Sequence, residues 1–181
     1  MNGGRNMRLL FLLTATALTL GVFRSDRTEA RPMWLPEIEN PYCKVATFVL
    51  PSIPEQAASL TDDAGEGMIV VSGSAMSKTP AYSHFLLAHE CCHHTLGHVS
   101  MLKKGLGHMG PQPFFYIKPA LRKMELEADC CAVKLLKATH EEDSILAGEN
   151  AMTAFGDEPT GAYYPTGSER AANIAACAEA K

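Results

Sequence analysis

The chain has no excess of positive charge, no internal repeat and no apolar run of membrane-spanning length. Lysine and arginine number 16 against 20 aspartates and glutamates, a net charge of −4. That removes the basic surface with which a bulk nucleic-acid binder displaces counterions. Glycine and proline, 14 and 11 of 181 residues, are too few for a collagenous or low-complexity chain. Charged residues make up only 20% and hydrophobic ones 46%, which excludes a disordered chain and supplies the core of one domain. The longest apolar run, Leu9–Phe23, is 15 residues, short of the ~20 that cross a bilayer.

That run reads instead as the core of a cleaved secretory signal over residues 1–30. Arg5 and Arg8 precede it, and Thr28 and Ala30 stand at the −3 and −1 positions of a cleavage site. An uncleaved anchor is the less favoured alternative. Removing this segment takes away four arginines, Asp26 and Glu29 and leaves a mature domain, 31–181, with a net charge of −6. All six cysteines remain: Cys43, Cys91, Cys92, Cys130, Cys131 and Cys177. An even count in an exported domain reads as disulfides and places the protein in the periplasm or outside the cell.

Two strands are expected. Lys44–Leu50 is rich in β-branched and aromatic residues and is stopped by Pro51, and Met68–Ser72 is bounded by glycines. Residues 51–67 read as loop with a turn of helix around Glu55–Ser59. Helices are expected from Pro80 to Leu96, from Pro119 to Lys137, over Asp143–Phe155 and over Ser168–Ala178, and residues 103–117 read as loop. The class is α+β with helices dominating.

The first of these helices carries His89-Glu90-Cys91-Cys92-His93, the H-E-x-x-H pattern. At ~100° per residue, positions four apart lie only ~40° apart around the helix, so two imidazoles converge on one cation as zinc requires. Glu90 is turned away from ligation but reaches a water held there. The apolar lead-in Phe85-Leu86-Leu87-Ala88 buries this helix, and bare histidines there are costly without a cation or partners. The second helix offers a third ligand. Glu125 and Asp129 are again four apart, so Glu125 can bind metal while Asp129 accepts a hydrogen bond from a ligating imidazole. Glu127 falls on another face.

An H-E-x-x-H helix followed by a helix with E-x-x-x-D resembles the gluzincin metalloendopeptidases of the HtpX and CAAX-prenyl-protease family. Other stretches match in order. Met68–Ser72 resembles the family's edge strand before the active-site helix, His98 matches a histidine common there, and Pro165–Arg170 resembles its H-P-x-x-x-x-R segment. The resemblance spans roughly residues 42–178. It implies a mainly helical, zincin-like protease domain with one Zn²⁺, and a small sheet whose edge strand, Met68, Ile69, Val70, Val71 and Ser72, binds an extended substrate. It also implies that His98 and Arg170 act around the ligands. Arg170 is placed either against an acidic group, Asp129 first, or on the surface. The family's histidine before that proline is Tyr164 here. A tyrosine hydroxyl also donates to an oxyanion, so Tyr164, or its neighbour Tyr163, takes that role or simply packs a loop. Many family members carry transmembrane helices, whereas this chain has none after residue 30 and reads as the bare catalytic domain.

On a helical wheel Cys91 and Cys92 lie at ~200° and ~300° from His89, away from the metal direction. Cys130 and Cys131 likewise turn from the Glu125–Asp129 face. Cross-helix disulfides between the doublets follow, with Cys43 and Cys177 left to tie the ends, although six cysteines allow fifteen connectivities.

The expected function is an exported zinc endopeptidase acting on polypeptides, with Glu90 as general base for a metal-activated water. The rival is a non-catalytic metal-binding module whose structural zinc is closed by a fourth ligand from His94, His98 or His108.

Overall fold

The computed structural model describes residues 35–62, 64–108 and 113–180. The signal segment expected over residues 1–30 lies outside them. The elements run β1 (Glu37–Ile38), β2 (Ala46–Leu50), β3 (Ala57–Thr61), β4 (Gly67–Ser72), α1 (Gly73–Met76), α2 (Pro80–Thr95), α3 (His98–His108), α4 (Pro113–Ala138), α5 (Glu142–Phe155) and α6 (Gly167–Glu179). The architecture is α+β, with six helices and one small sheet among the described residues.

The sheet has the order β1-β2-β4-β3. β2 and β4 are parallel, from Ala46 opposite Met68 to Leu50 opposite Ser72, and β3 is antiparallel to β4. This corrects two expectations. Residues 57–61 form a strand rather than loop or helix, and that strand, not Met68–Ser72, is the sheet's edge. The sequence AASLT holds only one β-branched residue, so its propensity is weak. It becomes a strand because β4 offers a row of open backbone groups. Both flanks of β4 are taken, so Met68, Ile69, Val70, Val71 and Ser72 have no free edge for a substrate, and the inner residues Ile69 and Val71 are wholly buried. The resemblance placed the edge one strand too late.

α2 is the axis of the domain. Thr79 caps it by accepting from the Tyr82 amide, and Pro80 stands in the first turn, where its missing N–H costs nothing. Every residue from Phe85 to Cys92 is buried, so the helix is enclosed by sheet on one side and α4 and α5 on the other. Ala88 on α2 and Ala128 and Ala132 on α4 are fully buried in one cluster. Small side chains there let the two backbones approach, which is what lets α4 side chains reach those of α2. α5 approaches as closely: a Cβ on Gly148 would stand 2.3 Å from the Phe85 ring.

α3 and the first turns of α4 take residues 103–108 and 113–117 out of the loop expected over 103–117. Gly105, Gly107 and Pro113, three of the residues that suggested a break, fall within these helices. Pro113 opens α4 at a position where proline is tolerated, and Pro119 sits inside the helix, at the cost of one backbone bond.

Three disulfides join Cys43 to Cys91, Cys92 to Cys131 and Cys130 to Cys177, with Cα separations of 5.8, 5.9 and 5.4 Å. The cross-helix link between doublets is present once, and the expected Cys43–Cys177 closure is not formed. Adjacent cysteines on a helix diverge by ~100°, so each doublet serves two partners: α2 is tied to the lead-in and to α4, and α4 to α2 and to α6. Three disulfides suggest an oxidising, extracellular-type environment. No helix among the described residues is long and apolar enough to cross a membrane.

Cys92–Cys131 closes a loop with a sequence separation of 39 residues, for which the chain-entropy model gives a stabilisation of about 4 kcal/mol. Replacing both cysteines by alanine is expected to lower unfolding stability by about 2–4 kcal/mol in a urea titration. An unchanged midpoint contradicts the role assigned to this link.

Candidate metal centre

α2, α4 and α6 each send side chains to one buried point. The Nε2 atoms of His89 and His93 lie 3.1 Å apart. Glu125 approaches both, with Oε2 at 3.5 Å from His89 Nε2 and Oε1 at 3.4 Å from His93 Nε2. Ligands at 2.0–2.1 Å from a tetrahedral zinc are separated by about 3.3 Å, and each of these contacts, made to the histidines by different oxygens of Glu125, is close to that spacing. The three side chains form a buried group able to hold a metal ion.

The other nitrogens of the two imidazoles are also engaged. His89 Nδ1 is 2.9 Å from Asp129 Oδ1, which fixes the tautomer that leaves Nε2 facing the centre. His93 Nδ1 is 3.2 Å from His98 Nδ1, and His98 Nε2 is in turn 3.5 Å from Glu127 Oε2. His98 therefore orients His93 much as Asp129 orients His89. Glu127, on the other face of α4 as expected, still anchors this arm.

Arg170 completes the arrangement from α6. It donates from Nε to Asp129 Oδ2 at 2.9 Å and from Nη2 to Asp129 Oδ1 at 2.7 Å, a bidentate pair, and its Nη1 stands 3.2 Å from Glu125 Oε2. Nη1 also donates to Thr160 Oγ1 at 3.3 Å. Of the two placements left open for Arg170, the buried one against Asp129 is observed. Its position follows from a capping box at the start of α6, in which the Thr166 hydroxyl accepts from the Glu169 amide and the Glu169 carboxylate accepts from the Thr166 amide.

The charges decide the protonation. Burial works against a charge on His89, but the Asp129 and Glu125 carboxylates outweigh it and raise its pKa to about 10. Burial and the neighbouring His89 push His93 down to about 3. Glu125 and Asp129 are held below their ordinary values despite burial, Glu125 by His89 first and Asp129 by Arg170 first. The metal-free centre thus carries one imidazole proton where a cation would sit. Glu90 behaves differently: burial raises its carboxyl, only partly offset by His89 and by Ser59. Ser59 Oγ lies 2.7 Å from Glu90 Oε2 and 2.9 Å from the Glu90 carbonyl oxygen.

These groups line a cleft of about 610 Å³ bordered by residues 54–60 of the β3 segment, together with Tyr164. Burial first, and then Glu125 and Glu90, raise the Tyr164 hydroxyl to about 12. Tyr163 is 37% exposed and does not line the cleft, which separates the two tyrosines. Gly161 packs under the Tyr164 ring, where a Cβ would come within 2.5 Å.

Among the described residues no fourth protein ligand joins the group. His94 turns its Nε2 to the Met68 carbonyl oxygen at 3.2 Å, and His98 meets His93 on the side away from the centre. The side chain of His108 lies outside the described residues. Ser59 and Thr160 are contributors that sequence reasoning missed. Neither carries a spacing signal, because each reaches its partner only through the tertiary fold. No known protein family, no curated protein and no solved structure matches the chain.

Because a cation competes with the His89 proton, its uptake at pH 7 is expected to release about one proton per ion. Apparent affinity should rise about tenfold per pH unit between pH 6 and 8, since that interval lies below the raised pKa of about 10. Calorimetry in buffers of different ionisation enthalpy reads this directly, and zinc uptake without proton release contradicts the assignment. Asp129→Asn is expected to weaken zinc binding about 10–100-fold.

Proposed function

We propose that the protein is an exported zinc endopeptidase of the gluzincin kind, with zinc held by His89, His93 and Glu125. The observation that carries this reading is the placement of Glu90. A purely structural site has no use for a buried carboxylate beside the ligands, tied by a hydroxyl to the neighbouring strand. The three-ligand group also supports an open coordination position, as catalytic rather than structural zinc sites have.

A zinc ion in this site supplies a Lewis acid that polarises a carbonyl and acidifies a water. Glu90, with a carboxyl raised by burial, accepts the proton of the attacking water and returns it to the leaving amine. Ser59 holds that carboxylate in place. The Tyr164 hydroxyl, protonated throughout the physiological range, donates to the carbonyl oxygen as charge builds on it. Asp129, Arg170 and His98 keep the ligands aimed.

The substrate lies along β3. Ser72 donates its amide to the Gln56 carbonyl oxygen and Asp62 donates its amide to that of Glu66. In an antiparallel ladder the pairing alternates, so Gln56, Ala58 and Leu60 bond β4 while Ala57, Ser59 and Thr61 turn their backbone groups to the outer edge. An extended peptide adds there by main-chain bonds and places its carbonyl groups opposite Glu90. Such binding reads backbone rather than sequence, which fits unfolded exported polypeptides better than a unique target.

Glu90→Gln is expected to keep one zinc per chain and lose proteolysis of casein about 10³-fold. Equal cutting by the variant would falsify the mechanism. Tyr164→Phe is expected to lower kcat about 10²-fold with little change in KM or zinc content. If KM rises while kcat holds, the tyrosine binds substrate rather than stabilising the oxyanion.

A further inference from the structure

A second cavity, larger than the metal cleft at about 740 Å³, shares no lining residue with it. Its floor is one side of α4, where Leu126, Cys130, Cys131 and Leu135 recur at helical spacing. Leu96, at the end of α2, forms one wall and Asn173, on α6, the other. Both walls are pinned to the floor by covalent bonds. Cys92–Cys131 ties α2 to it, and Cys130–Cys177 ties α6. α6 lies parallel to α4 along its wall. Arg122 meets Glu169, the Leu126 carbonyl oxygen accepts from Asn173, and Cys130 is bonded to Cys177, each pair 47 positions apart. The groove is therefore preformed, and little ordering is spent when a ligand enters.

The groove is apolar along its length and charged at its ends. Leu96 is left 41% exposed above it. α4 runs antiparallel to α2, since His89 meets Asp129 while His93 meets Glu125, so Leu96 stands beside the earlier part of the floor. At that end Lys123 and Glu127, 3.5 Å apart, neutralise each other. At the other end Lys134 is exposed and meets no carboxylate among the described residues. A lone cation at the mouth of an apolar trough suits an anion with an apolar tail.

It does not suit an extended peptide. The floor residues lie inside α4 and Asn173 inside α6, so their backbone N–H and C=O groups are spent within the helices. The Asn173 side chain donates to the Leu126 carbonyl oxygen, and the Leu96 amide donates to that of Cys92. A peptide strand laid on this floor would lose water from its amides and gain no main-chain partner. An acyl chain has no such groups to satisfy. The volume also falls within the roughly 300–1,000 Å³ of small-molecule sites.

We infer that this groove binds a free single-chain carboxylate amphiphile of the fatty-acid class. Its carboxylate rests on Lys134, because Glu127 repels an anion at the other end. Its tail covers Cys131, Cys130 and Leu126 towards Leu96, along a floor of about 17 Å between the two lysines. The inference goes beyond the proteolytic reading and does not rest on it.

The test is calorimetry on the full chain, with and without zinc, using octanoate, decanoate, decanol and decylamine below their micelle concentrations. Decanoate is expected to bind about fifteenfold tighter than octanoate, at about fourfold per buried methylene. It should bind about fivefold tighter than decanol, with the same Kd whether or not zinc is present. Lys134→Glu should remove the preference for decanoate and favour decylamine. Leu135→Asp should weaken decanoate and decanol alike by about tenfold or more, and Leu126→Asp provides the same block if that variant does not fold. Decanoate binding that requires zinc, or that survives both Lys134→Glu and Leu135→Asp, places the ligand in the metal cleft and overturns the groove. Equal Kd values for octanoate and decanoate overturn the acyl tail. An acidic amphipathic helical peptide that binds tighter than decanoate, and is lost with Leu135→Asp, overturns the fatty acid in favour of a protein partner.

Discussion

The structure depends on one buried balance of charge. Glu90, Glu125 and Asp129 are enclosed together with His89, and the one guanidinium among them belongs to Arg170. Three carboxylates of like sign cannot share a dry interior without compensation. Arg170 meets Asp129 with two bonds and Glu125 with a third contact, and His89 supplies a second positive charge when no metal is bound. No buried side-chain nitrogen or oxygen among the described residues is left without a partner. The packing of α2, α4 and α6 follows from this, because each brings a group that the others need.

The same balance bears on how this group could hold a metal ion. A dication there would replace one proton with two charges at the point where both Nε2 atoms and a carboxylate converge, while Asp129 and His98 already hold the far sides of the rings. The ligands need little rearrangement. Affinity is then decided by competition with the His89 proton more than by reorganisation of the fold. A closed structural site would need a fourth donor, and His94, the nearest chain neighbour of the motif, is committed instead to the backbone of β4.

The parts that could be read from the sequence were those governed by helical periodicity. His89 and His93, and Glu125 and Asp129, each stand one turn apart, and that spacing alone set their common face. Asp129 as the partner of an imidazole extended the same logic, whereas Arg170 entered only through the resemblance, with a surface position left open. What escaped was set by distant partners. β3 has the composition of a loop and becomes a strand only beside β4. Glu90 finds Ser59 across 31 positions. Disulfide pairing failed in part because a helical wheel gives the direction of a cysteine but not which neighbour occupies that direction. Cys91 and Cys130 accordingly took Cys43 and Cys177, not each other.

The disulfides have a topological consequence for a molecule exposed to proteolysis. The loops they close run from Cys43 to Cys91, from Cys92 to Cys131 and from Cys130 to Cys177. Together they enclose every peptide bond from Cys43 to Cys177 but one. Any single nick in that stretch leaves both fragments covalently joined. The sole exception is the bond between Cys91 and Cys92, and it lies where both residues are wholly shielded from solvent in the middle of α2, beyond the reach of any attacking enzyme while the fold persists.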